Sequence, residues 1–152
     1  MIKFGEVALS IILSLGTPEM SSIQEIKCLA HAVYHEASGE TFDGKMAVAN
    51  VIINRVHDSR YPNDVCEVVT QPRQFSYLND SRRHILKIRN SIDQAAFHES
   101  LQIAYHLLEH RLWDNTNGAT HYYNPKLVDT PRWVGDNEGV MIGEHIFLAV
   151  YY

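Results

Sequence analysis

The sequence predicts an α+β domain, mostly helical, with a small strand-bearing lobe at its C-terminal end. Three observations predict it. Apolar residues recur at helical spacing in successive segments as far as about Trp113. Residues suited to capping stand where those segments begin. Beyond Gly118 the pattern changes to short apolar runs separated by turn residues. Helices first and strands last is the order of an α+β domain, and 152 residues suffice for one core.

Residues 1–20 form an N-terminal segment in which Lys3 precedes a short apolar run, Val7 to Leu15. It reads as an amphipathic first helix or as a weak signal- or anchor-like segment. The run is too short to span a bilayer, and Glu6 with no clear cleavage site favours the helix. Gly16-Thr17-Pro18 breaks it, and residues 21–152 are expected to form a single domain. Ser22-Ile23-Gln24-Glu25 matches a capping box, and behind it Ile26, Ala30, Val33, Tyr34 and Ala37 recur at helical spacing. A helix is therefore expected from about Ile23 to Ala37, stopping near Gly39.

Asp43 is placed to cap the next helix. Met46 to Val56 is apolar nearly all round, as in a helix buried in the middle of a domain. Asn50 and Asn54 interrupt that surface, and their amides need partners, so they are expected to tie neighbouring loops together. Tyr61-Pro62-Asn63 is a turn, Asn63 or Asp64 starts a short helix through Val69, and Gln71 to Asp80 is a loop. Ser91-Ile92-Asp93-Gln94 is a second capping-box pattern. The stripe Ile92, Ala95, Ala96, Leu101, Ala104, Tyr105 and Leu108 predicts a long helix from there to near Trp113. Thr120 to Tyr123 and Ile142 to Tyr151 read as strands, with turns at Asn124-Pro125 and Gly135 to Gly139 between them.

The net charge is −5, from 18 acidic and 13 basic residues, and no Lys/Arg run occurs, which argues against a nucleic-acid partner. Nine histidines make the charge sensitive to pH near 6. Cys28 and Cys66 are too few for a disulfide scaffold or a cysteine-only zinc site. On the residues alone they are either two buried thiols or one bridge, which needs an oxidising compartment and would contribute roughly 3–4 kcal/mol.

The chemistry concentrates in Cys28 to Glu40. Glu36 and Glu40 stand at a predicted helix end beside Ala37, Ser38 and Gly39, small residues that let a polymer approach a carboxylate. A glutamate there has no help from the helix dipole, and partial desolvation is expected to raise its pKa, the condition for a general acid near neutral pH. Read by itself the pattern is weak, since a solvated glutamate at a helix end is the ordinary case.

The blocks AVYHEASGE, MAVANVIINRV, YPNDVCEVV and QFSYL, then GATHYYNP, Trp133 and IGEHIFL, resemble the SleB/CwlJ-type cell-wall hydrolase family. The resemblance covers about Cys28 to Leu148. It implies a lysozyme-like, lytic-transglycosylase-like fold with one catalytic glutamate at the end of an early helix, which matches Glu36. Glu40 also belongs to the family pattern and is expected to support the site. Gln74, Phe75 and Ser76, and Tyr122, Tyr123 and Asn124, match blocks that line the cleft and are the expected substrate-binding residues; His145 matches the final strand block. The resemblance favours a Cys28–Cys66 disulfide. The chain departs from many relatives in having Ser38 where they carry arginine, and the lack of a wall-binding domain points to a phage or vegetative lysin.

The implied reaction is cleavage of the β-1,4 bond between N-acetylmuramic acid and N-acetylglucosamine in peptidoglycan glycan strands, with Glu36 as acid and then base. A lytic transglycosylase needs one carboxylate. Lysozyme-type hydrolysis would need Glu40 or Asp43 facing Glu36 across roughly 5–9 Å. No cofactor or metal is expected, and the enzyme is expected to act as a monomer at the cell wall, made in the host cytoplasm and released at lysis if phage-encoded. Two rival readings remain: a zinc amidase using His31 and His35 with His121 or His145, although the glutamate does not fall between the two histidines as in zinc peptidases, and a glycan-binding module without catalysis.

Overall fold

The computed structural model describes residues 20–71, 88–110 and 113–151. The expected N-terminal helix, the loop containing Gln74, Phe75 and Ser76, and positions 111–112 lie outside these described residues. Among the described residues four helices precede a three-stranded sheet: α1 (Met20–Ala37), α2 (Phe42–Val56), α3 (Val65–Thr70), α4 (Ser91–His110), β1 (His121–Tyr123), β2 (Val140–Ile142) and β3 (His145–Leu148). A 3-10 turn, Arg132–Val134, lies between β1 and β2. This is the α+β order expected, and none of the described helices is long and apolar enough to cross a membrane.

α1 is already helical at Met20, ahead of the expected start, so Ser22 lies inside the helix and is not its N-cap. Asp43 does not cap α2 either. Thr41 does, its Oγ1 accepting from the Gly44 N–H at 3.3 Å, while Asp43 adds a favourable negative charge to the first turn. α3 begins as expected on Asp64, whose Oδ1 accepts from Glu67 N–H. α4 is capped one residue earlier than the pattern suggested. Asn90 Oδ1 accepts from the N–H groups of Ile92 and Asp93, and Asp93 Oδ2 accepts in return from Arg89 N–H. The reciprocal box is thus closed by Asn90 and Asp93, and Gln94 has no part in it.

α2 is central, with every residue from Gly44 to Ile52 buried, in keeping with its nearly continuous apolar surface. One side of it closes the main core with Ile26, Leu29, Val33, Val68, Phe97 and Leu101 of the other helices. Its other side, through Ala47, Val48 and Val51, meets Ala37, Ala119 and Phe147 in a second cluster that joins helices to sheet. Lys45, also buried, reaches Glu99 on α4 at 2.7 Å.

Asn50 and Asn54 act as the sequence suggested. Asn50 donates to Asn115 Oδ1 at 3.3 Å, and Asn54 donates to Asp114 Oδ2 and the Ala119 carbonyl, each at 2.9 Å. Asn115 in turn donates to the carbonyl of Asp43. Burial works against the ionised form of Asp114, but hydrogen bonds from Thr116, Asn54 and Gly118 outweigh it and hold the carboxyl below its usual range. Arg55, one residue on, donates from Nε to the Thr120 carbonyl at 2.8 Å.

The sheet is antiparallel with order β1-β3-β2. The strand expected over Ile142 to Tyr151 is β3 in its middle, while its first residue, Ile142, ends β2, and the two strands form a hairpin. Ile142 pairs with His145, leaving a two-residue turn, Gly143-Glu144, in which only Gly143 has positive φ (+60°). Glycine first and a negative-φ residue second is the type II′ pattern that suits the twist of two strands.

Cys28 on α1 and Cys66 on α3 are joined by a disulfide, with Cα atoms 5.3 Å apart. The bridge closes a separation of 38 residues, for which chain entropy gives roughly 3–4 kcal/mol. Denaturant unfolding of the Cys28→Ser/Cys66→Ser double variant, or of the reduced protein, should show a loss of that order. An unchanged midpoint would mean that the pair contributes nothing to stability.

Candidate active site

Glu36 occupies the last turn of α1, directly before the buried Ala37. It is partly buried, and its Oε2 accepts a hydrogen bond from the Tyr122 hydroxyl at 3.3 Å. Tyr122 comes from the middle of β1, on the sheet face that packs against α2. Its ring stacks on Phe147 (centroids 5.4 Å, planes 28° apart) and meets His145 edge-on at 5.4 Å. Burial first, and then the facing Glu36 carboxylate, push the Tyr122 phenol well above its ordinary range. The hydroxyl therefore stays protonated and donates.

Beyond α1 the chain turns through exposed Ser38 and Gly39, closed by the Glu40 N–H to the Ala37 carbonyl at 3.0 Å. An added Cβ at Gly39 would meet nothing within 4 Å, so the turn after α1 borders open space. Glu40 is different. Its carboxylate is buried to 13% exposure, with Oε1 3.0 Å from His145 Nδ1. Two glycines make room for it. A Cβ on Gly44 would lie 3.0 Å from the Glu40 Cβ, and a Cβ on Gly143 would collide with Glu40 Oε2. Glu40 also stands just ahead of the α2 N-terminus, where the helix dipole favours a negative charge.

The structure thus brings together four residues named in the sequence, Glu36 with Tyr122 and Glu40 with His145, whose ring meets that of Tyr122. Tyr123, next along β1, points to the opposite sheet face and packs edge-on against Trp133 at 5.8 Å. Asn124 begins the following turn, its Oδ1 accepting from Lys126 N–H and its carbonyl from the N–H groups of Leu127 and Val128. Asp43 is exposed on the first turn of α2. The roles of Gly44 and Gly143 were not foreseen. A Gly-Glu pair between two strand-like runs is a hairpin signal that could have revealed Gly143.

His31 and His35 do lie together, with their Nε2 atoms 3.2 Å apart and their rings at 81°. Among the described residues no group of three metal-ligating side chains forms around them or elsewhere. His145 is paired with Glu40, and His121 packs on Trp133 and hydrogen-bonds Thr120 Oγ1.

The cell wall hydrolase family model matches residues 39–148, most of the described domain. The chain belongs to the cell wall hydrolase family. The match begins three residues past Glu36, but individual members extend it. The spore cortex-lytic enzyme of Bacillus cereus is 33% identical over 133 residues, or 87% of this chain, an overlap too long to leave Glu36 out. That of Bacillus subtilis is 32% identical over 83% of this chain. The chain spans about half, or less, of the length of these curated relatives (47% and 38%). Among solved structures, the catalytic domain of the germination-specific lytic transglycosylase SleB from Bacillus anthracis superposes with a TM-score of 0.64 at 31% identity. It covers 88% of this chain, and the whole of that domain is matched. The SleB catalytic domain of Bacillus cereus gives 0.63. The lytic-transglycosylase-like fold expected from the sequence is therefore the fold of this chain.

Two predictions follow from the geometry. Gly143→Ala places a methyl group against Glu40 and strains a positive-φ turn, so thermal unfolding should show a loss of about 1–3 kcal/mol. His121 titrates far below its ordinary range, at about 4, because burial and the nearby Arg55 and Arg60 disfavour its charged form. The unfolded chain takes up that proton from about pH 6.5 downward while the fold refuses it, so His121 stabilises the fold above that pH and loses its contribution toward pH 4. In His121→Gln the fall of the melting temperature between pH 6.5 and 4 should be shallower. A slope equal to wild type would show that other groups carry it.

Proposed function

We propose that this domain is a peptidoglycan lytic transglycosylase with Glu36 as its single acid and base. The observation that carries the reading is how the neighbouring carboxylates are used. Glu36 is partly buried at a helix end beside an exposed turn and takes a hydrogen bond from a phenol, whereas Glu40 is engaged with His145 and enclosed by Gly44 and Gly143. A water-activating or nucleophilic second carboxylate would have to be available to the sugar, and Glu40 is not. The similarity to the catalytic domain of a lytic transglycosylase supports the same reading.

In this mechanism Glu36 gives its proton to the glycosidic oxygen between N-acetylmuramic acid and N-acetylglucosamine. The bond from C1 of the muramic residue to that oxygen breaks, and N-acetylglucosamine leaves with its 4-hydroxyl restored. Positive charge gathers at C1, and the Glu36 carboxylate then takes the proton from the muramic C6 hydroxyl. O6 bonds to C1, the 1,6-anhydro ring closes and Glu36 is protonated again. No water is consumed. Gln74, Phe75, Ser76, Tyr123 and Asn124 belong to the proposal as substrate contacts. The setting is the wall outside the cytoplasm, where the Cys28–Cys66 bridge persists, and the lysin role is part of the same proposal.

Glu36→Gln should reduce release of glycan fragments from purified vegetative sacculi by at least about 10³-fold with the melting temperature kept. Mass spectrometry of the wild-type digest should find products one water lighter than reducing-end fragments. Reducing ends in their place would make the enzyme a hydrolase, and a fully active Gln variant would remove Glu36 from the chemistry.

A further inference from the structure

We infer that Tyr122 is the positioning residue of the Glu36 acid, and that the Glu40–His145 pair holds Tyr122 in register for it. The inference rests on Glu36 being the catalytic acid. A carboxylic acid accepts hydrogen bonds best at its carbonyl oxygen. With Oε2 receiving the Tyr122 hydroxyl, the proton to be delivered resides on Oε1, and the plane of the carboxyl is set. When the proton leaves, the same hydroxyl stabilises the new carboxylate through the bond already in place, with no reorganisation.

The tyrosine can do this only if its ring is held, because 86 residues separate it from Glu36 and the two lie in different layers. Three contacts hold it. Phe147 stacks on one face, His145 meets it edge-on, and its neighbours on β1 and β3 keep it in the ladder, where Tyr122 pairs with Phe147. His145, set against the Tyr122 and Phe147 rings, has its Nδ1 bound to Glu40, and Glu40 is fixed by the turn after α1 and by the clearance at Gly44 and Gly143. The same turn that ends the helix bearing Glu36 thus controls, through His145, the group that aims it. Glu40 acts through His145 and Tyr122 and does not touch the sugar.

The test is a double-mutant cycle of Tyr122→Phe and His145→Gln on soluble glycan oligomers, with melting temperatures recorded. Tyr122→Phe keeps the ring and its stacking, and should lower kcat by about 10- to 100-fold with KM within about twofold of wild type. His145→Gln should lower kcat less. The double variant should be no slower than Tyr122→Phe, because His145 acts through the tyrosine hydroxyl. A Tyr122→Phe enzyme with wild-type kcat, or one altered only in KM, overturns the role of the hydroxyl. Multiplying losses in the double variant overturn the link to His145. If the single variants melt early, Tyr122→Trp and His145→Asn are compared at a temperature where all are folded; kcat losses that vanish there also overturn the inference. Because Glu36→Gln is inactive under the proposed function whatever Tyr122 does, its result separates failure of this inference from failure of that reading.

Discussion

Two adjacent polar side chains on α2, Asn54 and Arg55, clamp the β lobe onto the helical layer. Asn54 takes the Ala119 carbonyl and Arg55 the Thr120 carbonyl, so the chain entering β1 is held by consecutive hydrogen bonds from a helix that is itself fixed in the core. Everything about the site follows from that seating. With Ala119 and Thr120 pinned, strand alternation sends Tyr122 toward α2 and Glu36, and Tyr123 away from them. Phe147, buried at 1% exposure in the cluster shared with Val48 and Val51, completes the seat from the other strand.

Such a junction is costly to build in polar groups. A buried guanidinium or amide without partners would lose several kcal/mol, and here each finds a carbonyl or a carboxylate. Arg55 also lies over the Tyr61 ring at 5.3 Å, which shares its positive charge with a π face. The gain over an apolar seam is specificity. A hydrophobic contact alone would tolerate a shift of the lobe by an ångström, whereas these directional bonds do not, and Tyr122 must reach Glu36 to within hydrogen-bond distance.

Much of this was legible in the chain. The all-round apolar character of Met46 to Val56 announced the central helix, and Asn50 and Asn54 announced buried partners because amides in that surface must be satisfied. Capping positions were read less well. Asp43 and Ser91 are caps by type, yet the caps are Thr41 and Asn90, since residues one or two positions apart compete for the same orphan N–H groups and packing selects among them, and Ser22 lies inside α1. The hairpin at Gly143 was missed because the expected strand began at Ile142, the last residue of β2, and so ran across the Gly143-Glu144 turn.

Glu36 and Glu40 show where sequence ends and structure begins. Their place at a helix terminus among small residues, and the ordered blocks that mark the family, were determined by the chain alone, because local spacing and residue type are properties of the chain. Which carboxylate meets Tyr122 and which meets His145 was decided only by the fold. That distinction depends on His145, on Tyr122 and on the missing side chains of Gly44 and Gly143. Through-space contacts between residues a hundred positions apart leave no periodic trace in a single sequence.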